Sequence, residues 1–142
     1  MNRISFGTPA WAEAFARGIN ASSEYRNSGA GWGTGFNGNL LFLYEADAGL
    51  TAPLALLVRL SGGRCDGCEW VPATNHADAG FVLRAPFSLW RDILEGRTLA
   101  ATAILTGGMK VEGDKLRLLR YAGAHRSLIH CAASVQTDFG TR

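Results

Sequence analysis

An α+β layer fold with a mostly antiparallel sheet is the class this sequence predicts, and three observations predict it. Strand-like segments stand together between Asn39 and Ala85, while helical spacing occupies Pro9 to Arg26 and most of the chain after Pro86. The pair Gly62-Gly63 sits between two of the strands as a hairpin signal. The 142 residues are 47% hydrophobic and 18% charged, which suits one domain with a substantial core and argues against disorder.

The elements follow in order. Thr8-Pro9 reads as an N-cap with proline at the first helical position, and Trp11, Ala14, Phe15, Gly18 and Ile19 then recur at helical spacing, so a first helix is expected from Pro9 to about Arg26. Five glycines at 29, 31, 33, 35 and 38 predict a flexible segment without helix or strand. Strands are expected at Asn39–Ala46, Pro53–Leu60, Arg64–Val71 and Phe81–Ala85, with a polar loop at Thr74–Ala79. Pro86 then opens a helix whose Phe87, Trp90, Ile93 and Leu94 share a face and whose stop is Gly96. Thr98 is expected to cap a second short helix, Leu99–Leu105, which is apolar almost all round and therefore expected to be buried.

The stretch ILTGGMKVEGD, Ile104 to Asp114, is informative. Met109-Lys110-Val111-Glu112 alternates apolar and charged, the period of a strand with one buried face, and glycines flank it on both sides. Asp114 caps a further helix through Leu116, Leu119 and Tyr121; Gly123 is expected to bend or break it, and another helix runs from about His125 to Ser134. No internal repeat or linker divides residues 1–142, so a single domain is expected.

Composition narrows the function classes. The net charge of +2 is too small to imply a nucleic-acid partner. The apolar runs are far shorter than the ~18 to 20 residues that span a bilayer. The stretch MNRISFGTPAWAEAF has no apolar signal-peptide core, so a cytoplasmic location is expected, and the acceptor pattern Asn20-Ala21-Ser22 carries little weight. Lys110, Lys115, Arg117, Arg120 and Arg126 face only Glu112 and Asp114 over Thr106–His130; this modest basic patch is either a solvated helix face or a contact for an anionic surface.

Candidate chemistry is sparse. Cys65-Asp66-Gly67-Cys68 is a CxxC, but as a zinc half-site it lacks a second pair, leaving Cys131 and three histidines. A redox pair is expected at a helix N-terminus, and this one falls in a strand where Asp-Gly invites a bulge or turn; the reading is structural thiols. His125 and His130 are five apart and point away from each other on a helix, and His76 stands in a loop near Asp78, so no metal site is expected. Nucleophile-elbow, zinc-protease and P-loop patterns are absent, and the glycines of TGGMKVEGDK have a turn role rather than that of a phosphate cradle. What remains is a set of apolar side chains around the short strand: Phe81, Leu83, Phe87, Trp90, Leu94, Ile104, Leu105, Met109, Val111, Leu116 and Leu119. By residue type alone each is an ordinary core residue.

The run FVLRAPFSLWRDILEG, then ILTGGMKVEGD, then LRLLRYAGAH, resembles the sterol carrier protein type 2 family, and the N-terminal TPAWAEAFARGIN and the terminal ASVQTDF look like its stand-alone bacterial members. The resemblance covers most of the chain and is most specific over Phe81–Tyr121. Two features depart from the pattern: Gly108 stands where a lysine is often found, and the glycine-rich segment 29–38 is unusual.

The resemblance implies a five-stranded sheet covered by about five helices, with an apolar tunnel between them. The expected function is non-enzymatic binding or carriage of a sterol, fatty acid, acyl-CoA or related hydrophobic molecule. The eleven apolar residues above would be the ligand-binding set, and Lys115, Arg117 and Arg120 the contact for anionic head groups or membranes. No catalytic residue, metal or cofactor is implied. The competing expectation is an interaction module for a partner enzyme, with no ligand of its own; a homodimer is compatible with either. A small enzyme using Cys65, Cys68 or His76 ranks last.

Overall fold

The computed structural model describes residues 3–140. Helix α1, Pro9–Ala21, starts as expected: Thr8 is the N-cap and its hydroxyl accepts from the Trp11 amide at 3.3 Å. Trp11, Ala12, Phe15 and Ile19 form its buried stripe. The helix does not continue to Arg26. Ser22 leaves helical geometry and its Oγ accepts from the Tyr25 amide at 3.0 Å, opening a separate α2 at Ser23–Ser28. A serine hydroxyl that bonds forward competes with the helical ladder, which is how a polar residue splits a continuous helical pattern.

The glycine-rich segment carries no helix or strand, as expected, but it is pinned. Trp32 is wholly buried and its indole N–H donates to the Gly38 carbonyl at 2.7 Å. Gly33 has φ +82°, and a Cβ there would lie 2.7 Å from the Leu60 carbonyl oxygen. Gly33, and Gly38 whose Cβ would lie 2.7 Å from the Gly33 Cα, therefore serve close packing of backbone on backbone, not looseness.

Strands β2 (Leu40–Glu45), β3 (Leu54–Ser61), β4 (Arg64–Val71), β5 (Phe81–Pro86) and β6 (Lys110–Glu112) form a sheet in the order β4-β3-β2-β5-β6. All neighbours are antiparallel except β2 and β5, which run parallel with Leu40 opposite Phe81. The parallel pair arises because the chain leaves the β2-β3-β4 meander and crosses back through residues 72–80 to the free side of β2. Central β2 is buried from Leu40 to Tyr44 without alternation because both faces are covered. The main core lies on the helical face, while Leu41, Leu43, Ala55, Leu57 and Val82 form a smaller cluster on the other face, packed by Val71, Ala73 and Ala79. A second, two-residue parallel pair joins β1 (Ile4–Ser5) to β7 (Thr137–Asp138), an element too short for any pattern to announce.

The helical half comprises α3 (Phe87–Leu94), α4 (Ala100–Thr106), α5 (Lys115–Arg120) and α6 (Ala122–Ser134). Three expectations change here. The N-cap of α4 is Leu99, with no side-chain cap bond, so Thr98 does not cap it. The same helix is not buried all round: Leu99 and Leu105 are 56% and 70% exposed, because one face of α4 looks to solvent. The bend between the last helices falls at Tyr121, not Gly123, since the Tyr121 ring is fixed 5.3 Å from Trp32. Asp114 caps α5 as expected, its Oδ1 accepting from the Arg117 amide at 3.0 Å.

Candidate functional site

A cavity of about 340 Å³ lies between the sheet and the last four helices. Leu83 of β5 forms its floor and Ile93 of α3 one wall. Ala100, Ala101 and Ile104 line it from α4, and Leu118 and Leu119 from α5. Ala122, His125, Arg126 and Ile129 line it from α6 at helical spacing, with His130 at the same face. The space exists because alanines and a glycine line two of its helices where larger side chains would have closed it. Its size falls in the range of small-molecule sites, roughly 300–1,000 Å³.

Polar groups are few and sit to one side. His125 packs edge-to-face with Trp32 at 4.5 Å, and its Nε2 is covered without a hydrogen-bond partner. Burial pushes this imidazole down from 6.5 to about 4, against an opposing hydrogen bond with the Leu118 backbone, so the ring is neutral near pH 7. His130 Nδ1 lies 3.2 Å from Glu24 Oε2, joining α6 to α2. Ser127 and Ser28 hydroxyls add a 2.9 Å bond across the same helix pair. Among the described residues, no three His, Cys, Asp or Glu side chains gather as a metal cluster.

The apolar residues singled out in the sequence are dispersed. Leu83, Ile104 and Leu119 line the cavity. Phe81 packs 4.9 Å from Trp32, and Trp90 packs at a tilt against Phe42 and Tyr44 with its indole N–H donating to the Leu43 carbonyl at 3.0 Å. Phe87 belongs to the opposite end of the core, 5.7 Å from Phe6. Met109 is buried, and Val111, opposite Leu83 in the sheet, is half-buried against the same core. Leu94 lines a separate pocket of about 170 Å³ near the C-terminal strand. Leu105 and Leu116 point outward, 70% and 74% exposed. The α6 stripe was not among the sequence candidates; its signal is the spacing of Ala122, His125, Arg126 and Ile129, one helical face that mixes small, polar and apolar residues.

The basic patch has a distinct character. Arg17, Arg59, Arg64, Arg84, Arg91 and Arg97 all reach carboxylates. Among the described residues, Lys110, Lys115, Arg117, Arg120 and Arg126 form no such pair. Arg117 instead lies over the Phe36 ring at 4.3 Å. Lys115, Arg120 and Arg126 are exposed on the same helical half.

This arrangement of a mixed five-stranded sheet under short helices has close structural counterparts. A crystal structure of sterol carrier protein 2 matches with a TM-score of 0.78 and 30% identity, over 90% of this chain and 97% of that one. The chain belongs to the sterol carrier protein 2 family. A solution structure of a conserved hypothetical protein from Thermus thermophilus is similar at a TM-score of 0.79 and 28% identity, over 95% of this chain and 92% of that one. Apo sterol carrier protein 2 from Yarrowia lipolytica shares the fold at a TM-score of 0.55 and 17% identity, over 85% of this chain and 88% of that one. No family model matches, and no curated protein does. For this family member, the resemblance seen in Phe81–Tyr121 thus extends to nearly the whole fold.

Proposed function

We propose that this chain binds and carries one hydrophobic or amphipathic molecule, a sterol, fatty acid, acyl-CoA or relative, without catalysing a reaction on it. The observation that carries this reading is the apolar cavity between β5 and helices α3 to α6, in a chain of the sterol carrier protein 2 family. Burying about 14 methylenes at ~0.8 kcal/mol each contributes roughly 11 kcal/mol gross. Association costs of at least ~4 kcal/mol leave an affinity in the micromolar range. Selectivity for chain length is loose, because one methylene discriminates weakly. The ligand set of this proposal is Leu83, Ile93, Ala101, Ile104, Leu119 and Ile129, with Phe81, Trp90 and Met109 supporting the walls from behind.

Loading and release take place at an anionic membrane surface, through Lys115 and Arg120 with Leu116 exposed between them. Cations without a carboxylate partner, beside an exposed apolar side chain, suit that contact. Replacing Lys115→Glu together with Arg120→Glu weakens binding to vesicles containing phosphatidylserine at low salt by tenfold or so; Arg117 is left in place because it is stacked on Phe36. Unchanged vesicle binding removes the membrane part of the reading and leaves the carrier part.

The deciding experiment is native mass spectrometry of freshly purified protein, followed by solvent extraction and lipid identification. A co-purified amphiphile near one per chain is the expected result. An empty protein that also fails to bind a fluorescent fatty acid, but recovers a stoichiometric protein partner, shifts the assignment to an interaction module.

A further inference from the structure

The CxxC has a geometry that strand periodicity alone would not produce. Residues three apart on a regular strand point to opposite faces. In β4 the register shifts: Gly67 lies opposite Arg59 and Cys65 opposite Leu60, so Asp66 is an extra residue in a β-bulge. Gly67 takes φ +134° at this point. The bulge returns Cys65 and Cys68 to one face, opposite Leu60 and Val58, with their sulfurs 3.7 Å apart. Both are free thiols; Cys65 is buried and Cys68 keeps some exposure. The Gly67 amide donates to Cys65 Sγ at 3.4 Å. Asn20 clamps the Cys65 backbone from α1, donating to its carbonyl at 2.8 Å and accepting from its amide at 2.9 Å.

We propose that Cys65 and Cys68 form a reversible dithiol–disulfide site, oxidised by small-molecule disulfides. In the first step Cys68, the less buried of the two, attacks one sulfur of the small disulfide as its thiolate. The small S–S bond breaks, a mixed disulfide forms on Cys68, and one small thiolate leaves. Cys65 then attacks Cys68 Sγ as its thiolate, the mixed disulfide breaks, and the second small thiolate leaves. The two thiol protons of the protein end on the two released small thiols, and two electrons pass from the dithiol to the small disulfide. The bulge brings the second step within reach, since side-chain rotation needs to close the sulfurs from 3.7 Å to about 2.05 Å. In the free dithiol the S–H of Cys68 holds the Cys65 thiol below its ordinary range; once Cys68 is in the mixed disulfide, the Gly67 amide at 3.4 Å is the donor left to the Cys65 thiolate in the resolving attack. The hydrogen bond with Cys65, then burial and the charge on Cys65, hold the Cys68 thiol above its ordinary range, so the first step draws on a small thiolate population, is the slower of the two and quickens as pH rises.

The test titrates the purified protein in buffers of reduced and oxidised glutathione. Samples are quenched in acid, alkylated after unfolding, and read by intact and peptide mass spectrometry. The expected product is a Cys65–Cys68 bond, seen as the loss of two hydrogens, with Cys131 still alkylated and dithiothreitol restoring the thiols. The folded chain is expected to form it at a ratio of oxidised to reduced glutathione about tenfold or more lower than the same chain in urea, because the bulge holds the sulfurs together. Cys65→Ser is expected to stop at a single glutathione adduct on Cys68. The proposal is overturned if the folded chain yields only single adducts, if oxidation falls on Cys131, or if folded and urea-unfolded chains share one midpoint. That last comparison uses the wild-type chain, so it decides even where the variant fails to fold.

Discussion

His125 and Gly33 are the residues whose surroundings make the sharpest demands. The imidazole is held neutral by burial, with its pKa lowered to about 4 from 6.5. The unfolded chain therefore binds a proton that the folded chain refuses between those two values, and stability falls as pH drops from about 6.5 to about 4. Above 6.5 the contribution is full; below 4 the loss is complete. His125→Phe keeps a ring against Trp32 but has nothing to titrate. Urea midpoints at pH 7 and pH 4 are expected to show the wild type losing about 3 kcal/mol more than the variant, and equal losses would mean the ring is solvated. Gly33 is constrained by conformation and space together. Gly33→Ala forces a side chain into φ +82° and places its Cβ 2.7 Å from the Leu60 carbonyl. A destabilisation of roughly 2–3 kcal/mol is expected in the same assay.

Among the elements, α5 is the one most dependent on local chemistry. It has six residues, too few to persist without a cap and tertiary support. Asp114 supplies the cap, while Leu118 is its buried anchor. Asp114→Ala is expected to lower global stability by about 1 kcal/mol, read by chemical denaturation, and to raise amide exchange across residues 115–120 more than elsewhere. The helix pair α2–α6 is tied differently, by the Ser28–Ser127 hydroxyl bond and the Glu24–His130 contact at 3.2 Å. These ties fix one wall of the cavity without filling it. Strand β4 is the third instructive element, because one inserted residue changes which side chains meet.

At the level of the whole molecule, the sheet and helices pack into one main core and separate where alanines line α4 and α6. That separation is the feature a carrier needs, and it can be removed with one substitution. Ala101→Phe adds a ring where α4 faces the cavity. It is expected to weaken binding of a fluorescent fatty acid at least tenfold while moving the melting temperature by only a few degrees. Unaltered binding would place the ligand elsewhere. No helix among the described residues is long and apolar enough to cross a membrane.

Read alone, the sequence determined the type and order of the main elements, the hairpin at Gly62-Gly63, the caps of α1 and α5, and the family resemblance centred on Phe81–Tyr121. Those features are local: period, cap and turn chemistry are written in a few adjacent residues. Tertiary structure alone decided the rest. The parallel pairing of β2 with β5 and the two-residue β1–β7 ladder depend on where distant segments return. Trp32 pins a glycine run that reads as loose. Leu105 and Leu116 face solvent although they are as apolar as Leu119, which lines the cavity. Hydrophobicity records that a side chain prefers to leave water, but a cavity is defined by where packing stops. That boundary is set by several helices meeting at once, and no stretch of one helix contains it.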